Sequence, residues 1–123
     1  MRSMIQWLPR FVGLAFALFV SVFAIDVFEA HRGLDLILAL GAHLIPAALV
    51  LAATLVGWRR PVAGGVAFLL LGGAYILMVG PDRPPSWYLA IAAPAFATSL
   101  LFFFSRFVAA KQTRPTLADP RSP

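Results

Sequence analysis

Three polar side chains that can hold or share a proton lie inside otherwise apolar stretches of this sequence: Asp26, His43 and Tyr75. An ionised side chain at the centre of a membrane costs about 2.5–3.5 kcal/mol on insertion scales, and such a group usually has a partner or a role. An imidazole beside a carboxylate can relay a proton near neutral pH. The same pair can form a structural hydrogen bond that fixes the register of two helices. We expect the structural bond; the alternatives are a proton or cation site, or no contact.

The three side chains lie at similar depths if their stretches are helices. Counted from the arginine-rich end of each stretch at about 1.5 Å per residue, Asp26 lies about 24 Å deep, His43 about 22 Å and Tyr75 about 21 Å. A short turn between the first two stretches makes them an antiparallel hairpin. The spacing therefore predicts a buried polar layer of Asp26, His43 and Tyr75 in the outer third of the membrane, with Asp26 and His43 within hydrogen-bond reach, directly or through one water.

A second group of polar residues forms the turn EAHRGLD, which contains Glu29, His31 and Asp35. With Asp26, these carboxylates and the imidazole are suitable ligands for zinc or manganese. Their spacing matches no metal-binding motif, so we expect a solvated outer polar turn and no metal. Bis-histidine haem ligation is not expected either, because His31 lies in a loop and His43 in a helix. We therefore expect no cofactor.

Catalytic arrangements of other kinds are absent from the sequence. There is no Ser-His-Asp array, no phosphate-binding loop and no pair of catalytic carboxylates. The chain has no cysteine, which excludes disulfides, thiolate metal sites and quinone-linked thiol oxidation. We expect that the protein is not an enzyme.

The composition indicates where such a chain resides. Of its 123 residues, 61% are hydrophobic and 12% are charged, against about 25% charged in soluble domains. A domain this small cannot bury so much apolar surface, so the excess must face a lipid bilayer. The net charge of +5 comes from cations at the ends of apolar runs, a pattern typical of membrane orientation and not of nucleic-acid binding. The predicted fold is an all-α integral membrane bundle.

Four apolar stretches are long enough to be transmembrane helices. The run from Leu36 to Gly57, for example, spans about 33 Å, against a bilayer core of about 30 Å. We expect spans at about 11–28, 36–57, 62–79 and 87–104 within a domain of residues 11–105. A basic cytoplasmic lead, 1–10, precedes this domain, and a disordered cytoplasmic tail, 106–123, follows it. The first span is long for a signal peptide and has no clear cleavage site, so we expect it to be retained.

Cations and aromatic residues predict the orientation of these spans. Eight cations fall on one side, against Arg32 and Arg83 on the other, which predicts an inner-membrane protein with both termini in the cytoplasm. These eight are Arg2, Arg10, Arg59, Arg60, Arg106, Lys111, Arg114 and Arg121. The predicted interface anchors are Trp7, Trp58, Arg59, Arg60, Trp87 and Tyr88.

Small residues line the later spans, as in Ala48-x-x-x-Ala52 and Ala93-x-x-x-Ala97 and at Gly65, Gly72 and Gly73. Such stripes let helix backbones approach closely, and we expect packing within one bundle rather than a dimer seam. Pro46 and Pro94 each free a carbonyl one turn earlier in their helices. The predicted role is structural or accessory, through packing with itself, as a homo-oligomer, or with a larger membrane complex. The alternative is a small proton- or cation-coupled transporter or channel that uses the Asp26–His43 layer.

Three short segments of the chain are similar to those of a family of small prokaryotic membrane proteins of unknown function. An F-A-x-D-x-F segment is matched by residues 23–28, and an H-L-I-P segment by residues 43–46. A tryptophan-arginine step at Trp58-Arg59 precedes the glycine pair Gly64-Gly65. The resemblance covers about residues 10–105. It implies four spans, and it assigns no activity and no catalytic residue.

Overall fold

The computed structural model describes residues 2–112 of the chain, with the side chains of residues 4–111. The described chain consists of helices and short connections and contains no strand. The helices are α1 (Arg2–Val22), α2 (Val27–Ala30), α3 (Leu34–Arg59), α4 (Pro61–Val79), α5 (Pro85–Trp87) and α6 (Ala93–Gln112). A π-helical turn, Tyr88–Ala92, joins α5 to α6.

Four helical stretches are long and apolar enough to cross a membrane. They are Met4–Ala30, Leu34–Arg59, Pro61–Val79 and Pro85–Lys111. Large apolar side chains are exposed along all of them, as at Leu38, Leu77 and Leu100. These observations confirm the predicted all-α fold with four spanning helices.

The first helix has different ends from those of the predicted span. It begins at Arg2, so the predicted lead is helical from that residue on, and it ends at Val22 instead of Phe28. Beyond Val22 the amides of Ala24 and Ile25 bond to carbonyls only three residues back, which tightens the last turn and stops the α-helix. Asp26 therefore lies in a turn before α2 and not inside the first helix.

The last helix also extends past its predicted limit. Helix α6 continues to Gln112, so residues 106–112 are helical and not part of a disordered tail. The remainder of the predicted tail, residues 113–123, lies outside the described residues.

The four long helices form a closed antiparallel bundle. Helix α1 packs on α3, α3 on α4, α4 on α6, and α6 on α1. Phe68 of α4 is fully buried at the centre, with its ring 5.8 Å from that of Phe102 and 6.5 Å from that of Phe16. Contacts among these three rings join α1, α4 and α6.

The half of the bundle that contains the α3–α4 corner is packed tightly through glycine. A Cβ on Gly64 of α4 would collide with the backbone of Gly57 in α3, and one on Gly57 would lie 2.5 Å from the Phe102 ring. A Cβ on Gly13 of α1 would meet the Thr54 hydroxyl at 2.5 Å. Gly65 and Gly72 similarly face phenylalanine rings of α6. Of the predicted small-residue stripes, Gly65 and Gly72 thus serve packing within the bundle as expected. The alanine stripes do not, because their residues are exposed: Ala48, Ala52, Ala93 and Ala97.

The two ends of the bundle differ in charge. We call the end that carries Arg10, Arg59, Arg60 and Arg106 the arginine end. The opposite end holds the connections between α1 and α3 and between α4 and α6. It contains the four carboxylates of the described chain, and we call it the acidic end: Asp26, Glu29, Asp35 and Asp82.

Candidate binding site at the acidic end

His43 lies in α3, one turn before Pro46. Its Nδ1 is 2.8 Å from the carbonyl oxygen of Ala39, one turn earlier in the helix. A carbonyl can only accept, so Nδ1 carries the proton in this hydrogen bond. In the neutral ring this leaves Nε2 as an acceptor, and no described residue donates a hydrogen bond to it.

Asp26 lies in the turn between α1 and α2. Its carboxylate is exposed and does not cap the short helix that follows. The direct hydrogen bond predicted between Asp26 and His43 does not occur among the described residues. Helix α1 ends before Asp26, and the imidazole bonds to its own helix. The prediction of a direct hydrogen bond is therefore wrong. A contact through one bridging group stays a prediction.

Tyr75 and Trp87 join α4 to the segment that follows it. The Tyr75 hydroxyl donates to the Trp87 carbonyl at 3.3 Å, and the Arg83 guanidinium lies 5.2 Å from the centre of the Trp87 ring. Next to them, the Tyr88 hydroxyl bonds to the Gly80 carbonyl. These contacts hold the 80–84 connection against the first turns of the last long helix.

Asp26, His43 and Tyr75 line one cavity of about 690 Å³, which we call the polar cavity. The structure thus brings the three residues of the predicted layer to a single site, but the layer is not buried. Asp26 and His43 are exposed, Tyr75 is half-buried, and no direct hydrogen bond joins Asp26 to His43. The rest of the lining comes from Phe23 and from the segment around α5 and the π-helical turn: Ser86, Trp87, Ala90 and Ile91.

A second cavity of about 580 Å³ adjoins the first, and we call it the apolar cavity. Tyr75, Trp87 and Ile91 line both. Its other walls are mostly apolar side chains from all four long helices, among them Phe16 and Leu71. An apolar space with a few polar groups at one side is the usual form of a small-molecule site.

The π-helical turn contributes Ile91 to both cavities. It ends two residues before Pro94, whose ring would clash with the Ala90 carbonyl in a regular α-helix. The wider turn removes that clash, and Ala90 now lines the polar cavity. Wide turns of this kind often occur at functional sites.

The other predicted polar residues do not line these cavities. Glu29, His31 and Asp35 are exposed in and beside the turn before α3. Within the described residues, no three His, Asp or Glu side chains are close enough to hold a metal ion. Sequence reasoning missed Ser86 and gave Trp87 only an interface role. The Pro-rich connection before them was the available signal that the chain turns back onto the bundle here.

The predicted interface anchors fall at both ends of the bundle. Trp7 and Trp58, with Arg59 and Arg60, lie at the arginine end, whereas Trp87 and Tyr88 lie at the acidic end. All three tryptophans are partly exposed. Their contact with a membrane interface stays a prediction.

Comparison with known proteins places the whole bundle in one family. Residues 1–116 match the family described as Domain of unknown function (DUF7670). The chain belongs to this family. No curated protein and no solved structure gives a significant match.

The DUF7670 match confirms the resemblance to an uncharacterised family. It covers all four long helices, so both cavities at the acidic end lie within the matched region. Prokaryotic origin and the three short segments on which the resemblance was based stay predictions.

Proposed function

We propose that this DUF7670 member is a multi-pass protein of the inner membrane whose acidic end binds a cationic amphiphile. The observation that carries the proposal is the junction of the two cavities at Tyr75, Trp87 and Ile91. The apolar cavity would hold the apolar part of the ligand. The polar cavity would hold its head, close to Asp26 and His43.

The groups around the polar cavity favour a cationic or hydrogen-bond-donating head. The Asp26 carboxylate accepts hydrogen bonds, as does Nε2 of a neutral His43. The Tyr75 hydroxyl already donates to the Trp87 carbonyl, which leaves its oxygen free to accept. In the polar cavity, whose lining contains no arginine or lysine, a cation would therefore meet acceptors and the Asp26 charge, whereas an anion would be repelled by Asp26. Arg83 lines the adjoining apolar cavity, so the cationic head must lie in the polar cavity.

The packed half of the bundle favours a binding site over a channel. A channel towards the arginine end would need polar side chains along it. The four candidates each donate their hydroxyl hydrogen to a backbone carbonyl instead: Ser21, Thr54, Thr98 and Ser99. Below the cavities, the ring of Phe68 fills the centre of the bundle. A ligand would thus enter and leave from the acidic end.

Fluorescence of Trp87 tests the site. The variant with Trp7→Phe and Trp58→Phe retains Trp87 alone. In neutral detergent, we expect tetraphenylphosphonium to change its emission saturably. Tetraphenylborate, an anion of the same shape, should bind at least about tenfold more weakly, a difference of about 1.4 kcal/mol. If both ions change the Trp87 emission equally after the signal of empty micelles is subtracted, the charge of the ligand plays no part in binding.

A small proton- or cation-coupled transporter or channel is the second candidate. It is favoured by the placement of Asp26, His43 and Tyr75 around one cavity. Proteoliposomes should then show proton or cation flux that Asp26→Asn abolishes while the protein remains folded. Absence of flux in the wild type would eliminate this candidate and leave ligand binding intact.

An accessory role in a larger assembly is compatible with either candidate. Ala48 and Ala52 of α3 are exposed, and so are Ala93 and Ala97 of α6, which supports close packing of a further helix at these faces. Affinity purification from native membrane should recover a second copy or a partner. Recovery of the chain alone as a monomer would argue against this role.

The proposed orientation has both termini in the cytoplasm. It is supported by the helix order, since the first residues of α1 and the last of α6 lie at the arginine end. Cations favour the cytoplasmic side of membranes. A cytoplasmic reporter fused after Pro123 should be active, and a periplasmic reporter there should be silent. The reverse result would overturn the orientation.

A further inference from the structure

A third cavity, of about 500 Å³, lies at the arginine end between α1, the α3–α4 corner and α6. We call it the arginine cavity. Four arginines from three parts of the bundle line it: Arg10, Arg59, Arg60 and Arg106. It is far from the polar and apolar cavities in the fold and shares no lining residue with them.

The charge around this cavity is not balanced by the described part of the chain. All four described carboxylates belong to the acidic end, and no ion pair joins an arginine to a carboxylate among the described residues. Four arginines that line one space repel each other, and the exposure of Arg59, Arg60 and Arg106 reduces this repulsion through solvent screening. An anion in the cavity would remove that repulsion.

Arg10 is held in place for such an anion. Its Nη2 donates to the Trp58 carbonyl at 3.3 Å, and its guanidinium lies 4.8 Å from the centre of the Trp7 ring. Arg10 is also half-buried. A guanidinium has five N–H donors in a rigid fork that fits phosphate, so most of the donors of Arg10 remain for a ligand.

The first turn of α4 opens onto the same space through Pro61 and Val62. No side chain caps this helix start. Amides in the first turn of a helix favour a negative charge. Pro61 has no N–H, so of these two residues only Val62 offers an amide that adds to the arginines, which carry the proposed site.

We propose that the arginine cavity binds the phosphate group of an anionic phospholipid. A phosphate suits the arginine forks, and free phosphate shares this chemistry. The cavity lies at the end of the four long helices and has the exposed Trp58 in its lining, a position that suits lipid headgroups. The proposed ligand is therefore a lipid headgroup and not free phosphate.

Native mass spectrometry of the full chain in neutral detergent tests the site. The probes are phosphatidylglycerol and phosphatidylcholine with identical acyl chains, each added at the same concentration. We expect one phosphatidylglycerol to be retained, at least about tenfold more than phosphatidylcholine. Arg10→Gln and Arg106→Gln should each weaken this retention about tenfold, as expected for loss of a hydrogen bond to a charged group.

Arg32→Gln is the matched control, because it removes one arginine from the exposed turn at the acidic end. It should retain the lipid as the wild type does. Circular dichroism checks that each variant is folded, and Arg106→Gln keeps the test valid if Arg10→Gln does not fold. Equal retention of both lipids, or unchanged retention in the folded arginine variants, would overturn the proposal. Retention of inorganic phosphate without retention of phosphatidylglycerol would overturn the assignment to a lipid and leave a free-phosphate site.

Discussion

Asp26 and His43 line one cavity from a turn and from the middle of a helix, and no described hydrogen bond joins them. The imidazole bonds to its own helix at Ala39, and the carboxylate is exposed. Both groups therefore remain open to a ligand. A direct bond between them would instead have used the acceptors that a cationic head requires.

The first prediction concerns the energetic coupling of these two residues. A double-mutant cycle with Asp26→Asn and His43→Ala should give a coupling free energy below about 0.6 kcal/mol, the mean for interhelical hydrogen bonds in a membrane. The measurement is reversible unfolding in mixed detergent micelles. A coupling above about 1.5 kcal/mol would mean that the two side chains bond to each other without ligand.

The second prediction concerns the close approach of α3 and α4. Gly64→Ala places a methyl group against the Gly57 backbone, which cannot move without separating the helices. We expect a loss of about 1–3 kcal/mol in the free energy of unfolding.

Gly73→Ala is the control on the same helix, because a Cβ there meets nothing within 4 Å. It should be neutral or stabilise the protein by up to about 1 kcal/mol, owing to the higher helix propensity of alanine. If both variants lose the same stability, backbone propensity and not the Gly57–Gly64 contact is responsible.

The third prediction concerns the hydrogen bond between α6 and α4. The buried Ser99 hydroxyl donates to the Gly65 carbonyl at 2.7 Å. Ser99→Ala should lower the free energy of unfolding by about 0.6–1.7 kcal/mol. Thr98→Val removes a hydroxyl that bonds only within its own helix, to Pro94, and should cost less. A larger effect for Thr98→Val would show that the interhelical bond contributes little.

The placement of the polar layer could be predicted from the sequence, whereas the end of the first helix could not. The similar depths of Asp26, His43 and Tyr75 predict their meeting at one cavity. The turn is not centred on Leu34 and Asp35, as the sequence suggests, because these residues begin α3, and Asp26 itself lies in the turn. The helix stops at Val22 with no glycine or proline there, through amides that bond three residues back. Apolar periodicity continues through that turn and gives no sign of it.

The arginine cavity could not be predicted for a different reason. Arg10, Arg59 and Arg106 are far apart in the sequence, and a count of cations gives only their side of the membrane. Their convergence depends on the order of the helices around the bundle, with α6 packed against α1. Hydropathy does not determine that order.

The most direct test of the account is equilibrium dialysis of tetraphenylphosphonium against the detergent-solubilised protein. Wild type should bind one cation per chain, and Asp26→Asn should bind it at least about tenfold more weakly. Glu29→Gln, which removes a nearby carboxylate that does not line the polar cavity, should bind like the wild type. If the affinity is the same for wild type and Asp26→Asn, or if Glu29→Gln loses as much, the polar cavity is not the cation site.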